Sequence, residues 1–144
     1  MSSAAPDAFA DLLAANDAYV DTFALGHLEA RALRGLAIVT CFDSRIEPLQ
    51  MLGLAAGDAK ILRTAGGRVG EGVLDSLRLA IDRLGVDRIA IVQHTECAAP
   101  TAGVDTLAHD VSVARATLGL PHDRIDGFIY DVRTGRISSP AETD

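Results

Sequence analysis

The sequence predicts an α/β fold, a mostly parallel β-sheet flanked by helices and closed by a C-terminal hairpin. Three observations lead there. Short apolar runs rich in Ile and Val, LAIVTC and IAIVQH, read as buried strands. Longer segments with helical periodicity alternate with them, which is the pattern of strands joined by crossover helices. The chain has 144 residues, the length of one domain with a real core, so a single unit over 1–144 is expected.

The elements follow in order. DAFADLLAANDAYVDTFA lies in an N-terminal helix of about residues 6–25, with an apolar stripe of Phe9, Leu12, Leu13, Tyr19, Val20 and Phe23. LAIVTC is the first strand, EPLQMLGL a short helix closed by Gly57, and ILR a second strand. GVLDSLRLAIDRLG is a helix, IAIVQH the third strand and VDTLAHDVSVARATLG a further helix. IDGFIYDV and GRIS form a hairpin across a turn at Thr134 and Gly135. The ends, MSSAAP and SSPAETD, read as loose.

Composition narrows the function classes. A net charge of −7 argues against nucleic acid, whose phosphates need a basic surface. No apolar run is long enough to span a membrane, and no secretory pattern opens the chain, so a cytoplasmic protein is expected.

Both cysteines sit at strand ends. Cys41 closes LAIVTC, and His94 with Cys97 follows IAIVQ. In a parallel sheet both would emerge at the carboxyl edge, where α/β proteins hold their sites. Three soft ligands at one edge suggest zinc, which favours thiolate and imidazole and keeps a fourth position for water or substrate when the protein supplies three ligands. A buried histidine beside an apolar free cysteine, or a Cys41–Cys97 disulfide, would explain the same residues; a reducing cytoplasm disfavours the disulfide. Metal binding is the leading reading. The glycine-rich RTAGGRVGEG could cradle phosphate, but it lacks the Lys-Ser/Thr pair of a P-loop and a clear ribose partner.

The segments CFDSRIEP, ILRTAGGRV and IVQHTEC together resemble the β-class carbonic anhydrases, with CxDxR, an RxAG loop and HxxC in that order. The resemblance is close over roughly residues 35 to 100, and IDGFIYDVRTGRI resembles the family's closing strand and hairpin. It implies that Cys41, His94 and Cys97 hold one Zn2+ per chain, and that Asp43 and Arg45 form a dyad beside it. It also implies that Gly66 and Gly67 bring the backbone close to the site, where bicarbonate binds. Zinc lowers the pKa of bound water from about 15.7 to roughly 7, so hydroxide could attack carbon dioxide at neutral pH. Asp43 could accept a hydrogen bond from that nucleophile or occupy the fourth position itself. The Arg45 fork would hold the carboxylate off the metal. Without the resemblance, Asp43 and Arg45 could be a turn pair capping the helix near Pro48. Arg63 and Arg68 read as structural or interface groups.

The resemblance further implies a homodimer or dimer of dimers, with the N-terminal helix packed on a partner subunit; amphipathicity alone equally allows the helix to cover its own sheet. The chain departs from the family pattern at Thr64, where Asn is common, and at Ala98, where Gly is usual; Ala99 and Pro100 follow, and the stretch after HTEC is short. Carbon disulfide or carbonyl sulfide hydrolysis, a non-catalytic zinc protein of the same fold, and a redox or nucleotide-binding domain are the alternatives. His27, His109 and His122 read as surface residues, the last two also as possible proton carriers.

Overall fold

The computed structural model describes residues 7–99 and 104–140. The ends expected to be loose are 1–6 and 138–144; residues 1–6 and 141–144, and Pro100 in the loop after Cys97, lie outside the described residues, whereas Ser138 is ordered as a strand residue paired with Ile129. The elements are α1 (Ala10–Asp21), β1 (Leu36–Cys41), α2 (Pro48–Met51), β2 (Ala59–Thr64), a 3-10 turn (Ala65–Gly67) and α3 (Glu71–Arg83). Then come β3 (Arg88–His94), α4 (Val104–Leu118), a 3-10 turn (His122–Arg124), β4 (Ile125–Tyr130) and β5 (Ile137–Ser138). The sheet order is β2-β1-β3-β4-β5. The first four strands are parallel, and β5 returns antiparallel on β4. The predicted α/β class is therefore observed. No helix among the described residues is long and apolar enough to cross a membrane.

The boundaries differ from expectation where pairing or capping overrides local sequence. Strand β2 is twice the length of ILR, because Ala59 to Thr64 pair residue by residue with Leu36 to Cys41. Helix α2 stops at Met51 rather than running to Leu54. Its terminator is Gly53, not Gly57: Gly53 takes φ +68° and donates to the Gln50 carbonyl at 3.2 Å, while Leu54 N–H reaches the Leu49 carbonyl at 2.8 Å. Those two bonds make a Schellman close, which favours glycine at the left-handed residue. The C-terminal hairpin is present, with shorter strands and a longer connection (131–136) than IDGFIYDV and GRIS suggest. Its turn is closed by Gly135 N–H to the Asp131 carbonyl and Asp131 N–H to the Arg136 carbonyl, both at 2.8 Å.

The core lies where α3 and α4 meet the sheet: Ala37, Val39, Leu77, Ala80, Ile89, Ile91, Leu107, Val111, Ala114 and Ile125 are all buried in one cluster. Strand β1 is buried from Ala37 to Cys41, which accounts for its unbroken apolar run. Helix α4 approaches β4 so closely that a Cβ on Gly127 would fall 2.7 Å from Val111 Cγ2. Helix α1 is shorter than the expected 6–25 and buries none of its residues. In this structure none of its side chains joins the core.

One ion pair ties α4 to the turn after β2. Arg68 donates to the Asp110 carboxylate through Nε at 2.7 Å and Nη2 at 3.2 Å, and Val69 N–H adds a third bond at 3.1 Å. Asp110 is 1% exposed and Arg68 33%. Arg68 is thus a structural residue, as expected. Removing its guanidinium leaves a buried carboxylate with one backbone donor, so Arg68→Ala is expected to cost about 3 kcal/mol of folding free energy, the low end for breaking a buried pair because Arg68 is partly solvated. Urea denaturation measures it, and a loss below about 0.5 kcal/mol would show that water already screens the pair.

Candidate metal centre

Strands β1 and β3 are neighbours in parallel register from Leu36↔Arg88 to Thr40↔Val92, so both leave the sheet at the same edge. Cys41 ends β1, His94 ends β3, and Cys97 follows one turn later. The two sulfurs are 3.9 Å apart, and the ligand atoms of Cys41, His94 and Cys97 all lie within 4.8 Å of one another. Two thiolates bound tetrahedrally at zinc–sulfur distances of about 2.3 Å stand roughly 3.8 Å apart. The spacing suits a shared ion, whereas a disulfide needs about 2.05 Å; both thiols are free.

The imidazole is set for the same task. His94 Nδ1 faces the Thr95 carbonyl at 2.7 Å, and since a carbonyl only accepts, Nδ1 carries the proton. Nε2 is then a bare lone pair. It is buried and has no hydrogen-bond partner among the described residues. A buried acceptor without a partner is costly and rare, and a cation among these three residues would satisfy it. The thiols lead to the same conclusion. Burial pushes the Cys97 thiol up, the neighbouring Cys41 sulfur pushes it further, and only the Ala99 N–H, 3.4 Å from the sulfur, works against them. Held as thiolates, two sulfurs this close would need a cation between them. The three residues therefore could hold a metal ion.

Asp43 and Arg45 sit beside this cluster. The Asp43 carboxylate accepts from Arg45 Nε at 3.0 Å, Nη2 at 2.8 Å and the Arg45 backbone N–H at 2.8 Å. These bonds hold its carboxyl well below the usual carboxylate range. Its Oδ2 lies 3.7 Å from His94 Nε2, close enough to reach the ligand cluster yet turned toward Arg45. The loop is braced from β2: Arg63 donates to the carbonyls of Cys41 at 3.0 Å, Asp43 at 2.8 Å and Ile46 at 3.1 Å. Arg63 is the structural group expected, with a definite duty: it fixes the path of the chain from Cys41 to Ile46.

A cleft of about 500 Å³ opens here, lined by Cys41, Phe42, Asp43, Ser44, Arg45, Cys97, Ala98 and Ala99. Phe42 is 66% exposed at its mouth. Gly66 and Gly67 are not in that lining; they are buried behind it with φ of +74° and +68°. A Cβ on Gly67 would fall 3.2 Å from the Val92 carbonyl oxygen and 3.3 Å from the Cys41 nitrogen, so this turn presses against the backbone of β1 and β3. A buried turn of this kind is no open phosphate cradle. His27, His109 and His122 are exposed and away from the lining.

Two residues at the site had no signal in the sequence. Glu96 is the one non-glycine among the described residues with positive φ, at +53°. The left-handed position in this loop is therefore Glu96, not Ala98. Arg133, from the hairpin turn, grips the Glu96 carboxylate with two bonds of 2.7 and 2.9 Å.

Comparison with known proteins agrees with this geometry. The family model described as carbonic anhydrase matches residues 36–123, which hold both the Cys41 and the His94–Cys97 segments. A crystal structure of carbonic anhydrase from Streptococcus mutans is similar with a TM-score of 0.79 and 34% identity, covering 96% of this chain and 97% of that one. β-Carbonic anhydrase 1 of Mycobacterium tuberculosis is 28% identical over 155 aligned positions, covering 89% of this chain and 94% of the relative. Those positions outnumber the 144 residues present here, so the alignment contains gaps. A carbon disulfide hydrolase of Acidithiobacillus thiooxidans is 34% identical over 76 residues, 51% of this chain and 38% of that protein. With the matched segments carrying the ligand cluster and the sheet that presents it, the chain belongs to the β-carbonic anhydrase family.

Proposed function

We propose that this protein catalyses the reversible hydration of carbon dioxide to bicarbonate, using one zinc ion held by Cys41, His94 and Cys97. The observation that carries the reading is the bare, buried Nε2 of His94 facing two sulfurs 3.9 Å apart, with a carboxylate 3.7 Å from that nitrogen. Zinc in such a site supplies Lewis acidity that makes water nucleophilic near neutral pH.

The chain's own residues do the rest. The Thr95 carbonyl keeps the proton on Nδ1 of His94 and so keeps Nε2 free to ligate. Asp43, ionised and anchored, accepts a hydrogen bond from the attacking water and orients its lone pair. Arg45 keeps that carboxylate from entering the ligand cluster, and Arg63 holds the loop that carries both. Phe42, Ala98 and Ala99 give the cleft apolar walls, suited to a small uncharged linear substrate. Gly66 and Gly67 serve the substrate site from behind, Gly67 by allowing close approach of the backbone to Cys41. The same walls suit carbon disulfide and carbonyl sulfide, and the hydrolase of Acidithiobacillus thiooxidans makes that the second reading.

Assembly as a homodimer, or a dimer of dimers, belongs to the same reading. Phe9, Leu12, Leu13, Tyr19, Val20 and Phe23 are all exposed on α1 and the residues flanking it. At 100° per residue they fall within an arc of about 120°, one face of the helix. A second copy would cover that face. Paired thiols this close also suit a reducing cytoplasm.

Stopped-flow hydration of carbon dioxide by protein carrying about one zinc per chain tests the activity directly. Fast hydration is expected from the parent, with loss of both zinc and activity in Cys41→Ser. Zinc retained in that variant would refute the ligand set. Zinc-loaded parent that hydrolyses carbon disulfide or carbonyl sulfide but leaves carbon dioxide unhydrated would establish the second reading, and inertness toward all three a binding role.

For Asp43 the sign of the pH effect is fixed by its lowered pKa. Its contribution to stability is present above the unfolded value of about 4 and is lost as pH falls below it. Urea denaturation of metal-free protein between pH 5 and pH 2 should therefore show a steeper loss for the parent than for Asp43→Asn, and parallel curves would mean that Arg45 gives this carboxylate no net support. On assembly, Leu13→Lys should shift the protein toward monomer in light scattering, while an unchanged mass would place the contact elsewhere.

A further inference from the structure

Arg45 does not hold Asp43 alone. Its Nη2 also donates to the Glu96 carbonyl at 3.1 Å, and its Nη1 lies 3.9 Å from Glu96 Oε1. Glu96 stands between two of the proposed ligands with φ of +53°. A non-glycine residue stays in that region only where its surroundings over-determine it. Here they do so from the C-terminal hairpin. Arg133 clamps the Glu96 carboxylate, Nε to Oε2 at 2.7 Å and Nη2 to Oε1 at 2.9 Å. Thr95 N–H donates to the Tyr130 carbonyl at 3.0 Å, and Val132 N–H to Thr95 Oγ1 at 3.1 Å. Arg133 is itself seated by its backbone N–H on Asp131 Oδ1 at 2.8 Å.

Glu96 therefore bears on the dyad in two opposite ways. Its carbonyl supports Arg45. Its carboxylate is a rival to Asp43 for the same guanidinium, because Nη1 faces Oε1 while Nε and Nη2 hold Asp43. With Arg133 in place, both carboxylate oxygens of Glu96 are engaged. Without it, rotation of a half-exposed side chain would close the 3.9 Å gap and draw Arg45 away from Asp43.

We propose that Arg133 and Glu96 are positioning residues of the metal centre: Arg133 withholds the Glu96 carboxylate from Arg45, so that Arg45 stays on Asp43 and Asp43 stays out of the space among Cys41, His94 and Cys97. The Arg133–Glu96 pair is open to solvent, with the two side chains 75% and 44% exposed, so it adds little to folding stability. Its bidentate geometry is better explained by orientation. The inference rests on the proposed metal site and not on the choice of substrate.

The test reads the fourth position without turnover. Cobalt(II) replaces zinc, and azide is titrated against the visible spectrum in the parent, in Arg133→Ala and in Arg133→Ala combined with Glu96→Gln. Freed Asp43 would compete with azide, so the single variant should bind it about tenfold more weakly, as expected when only a fraction of the protein has that position open. The double variant should recover to within about twofold of the parent, because an amide offers no charge to compete for Arg45. Unchanged azide affinity in Arg133→Ala would overturn the proposal. So would an equal loss in the single and double variants, which would make Arg133 a brace for the loop and nothing more. Failure to take up cobalt would instead refute the metal site. A parent that binds azide as described but hydrates no carbon dioxide would refute only the proposed substrate.

Discussion

Parallel pairing of β1 with β3 governs most of what this molecule can do. The register from Leu36↔Arg88 to Thr40↔Val92 brings both strands out at one edge, so that Cys41 and His94 arrive side by side although far apart in sequence. A slip of one residue would turn Cys41 to the opposite face of the sheet and dismantle the cluster. The register is secured around that point. Thr40 Oγ1 donates to the Val92 carbonyl at 2.8 Å, and Gly67 presses on the same backbone where no Cβ would fit without movement. Asp110, bonded to Arg68 and Val69, ties α4 to the segment that follows that glycine.

At the edge itself, desolvation and charge oppose each other. Two sulfurs and a bare imidazole nitrogen are brought together in buried surroundings that favour none of them as charged or unpartnered groups. The fold supports that arrangement through rigid neighbours: a carbonyl that fixes the tautomer of His94, and Arg63, whose guanidinium collects three carbonyls of the Cys41–Ile46 loop. Charge then runs outward from the cluster in alternating sign through Asp43, Arg45, Glu96 and Arg133. Each group has an opposite neighbour, and exposure rises from Asp43 to Arg133. Asp43, 13% exposed, is the sheltered member, while Arg45, Glu96 and Arg133 are open to solvent and act by orientation.

The sequence by itself determined the fold class, the order of elements and the three residues with soft donor atoms. Those depend on local facts: apolar runs at strand length, helical periodicity between them, and ligand-type side chains where the runs end. Even the spacing of His94 and Cys97 was legible, because one turn of chain carries both. Boundaries that depend on a partner were not. ILR became the six-residue β2 only because β1 lies beside it, and α2 ended at Gly53 because a six-residue backbone closure formed there. Tertiary structure alone decided that α1 buries none of its residues, that Gly66 and Gly67 back the site from outside the cleft lining, and that Glu96 takes a left-handed conformation. It also brought Arg133 across from the hairpin to Glu96. The physical reason is common to all four: a side chain's chemistry is local, but its burial, its backbone strain and its charge partners are set by segments that meet only when the sheet is assembled.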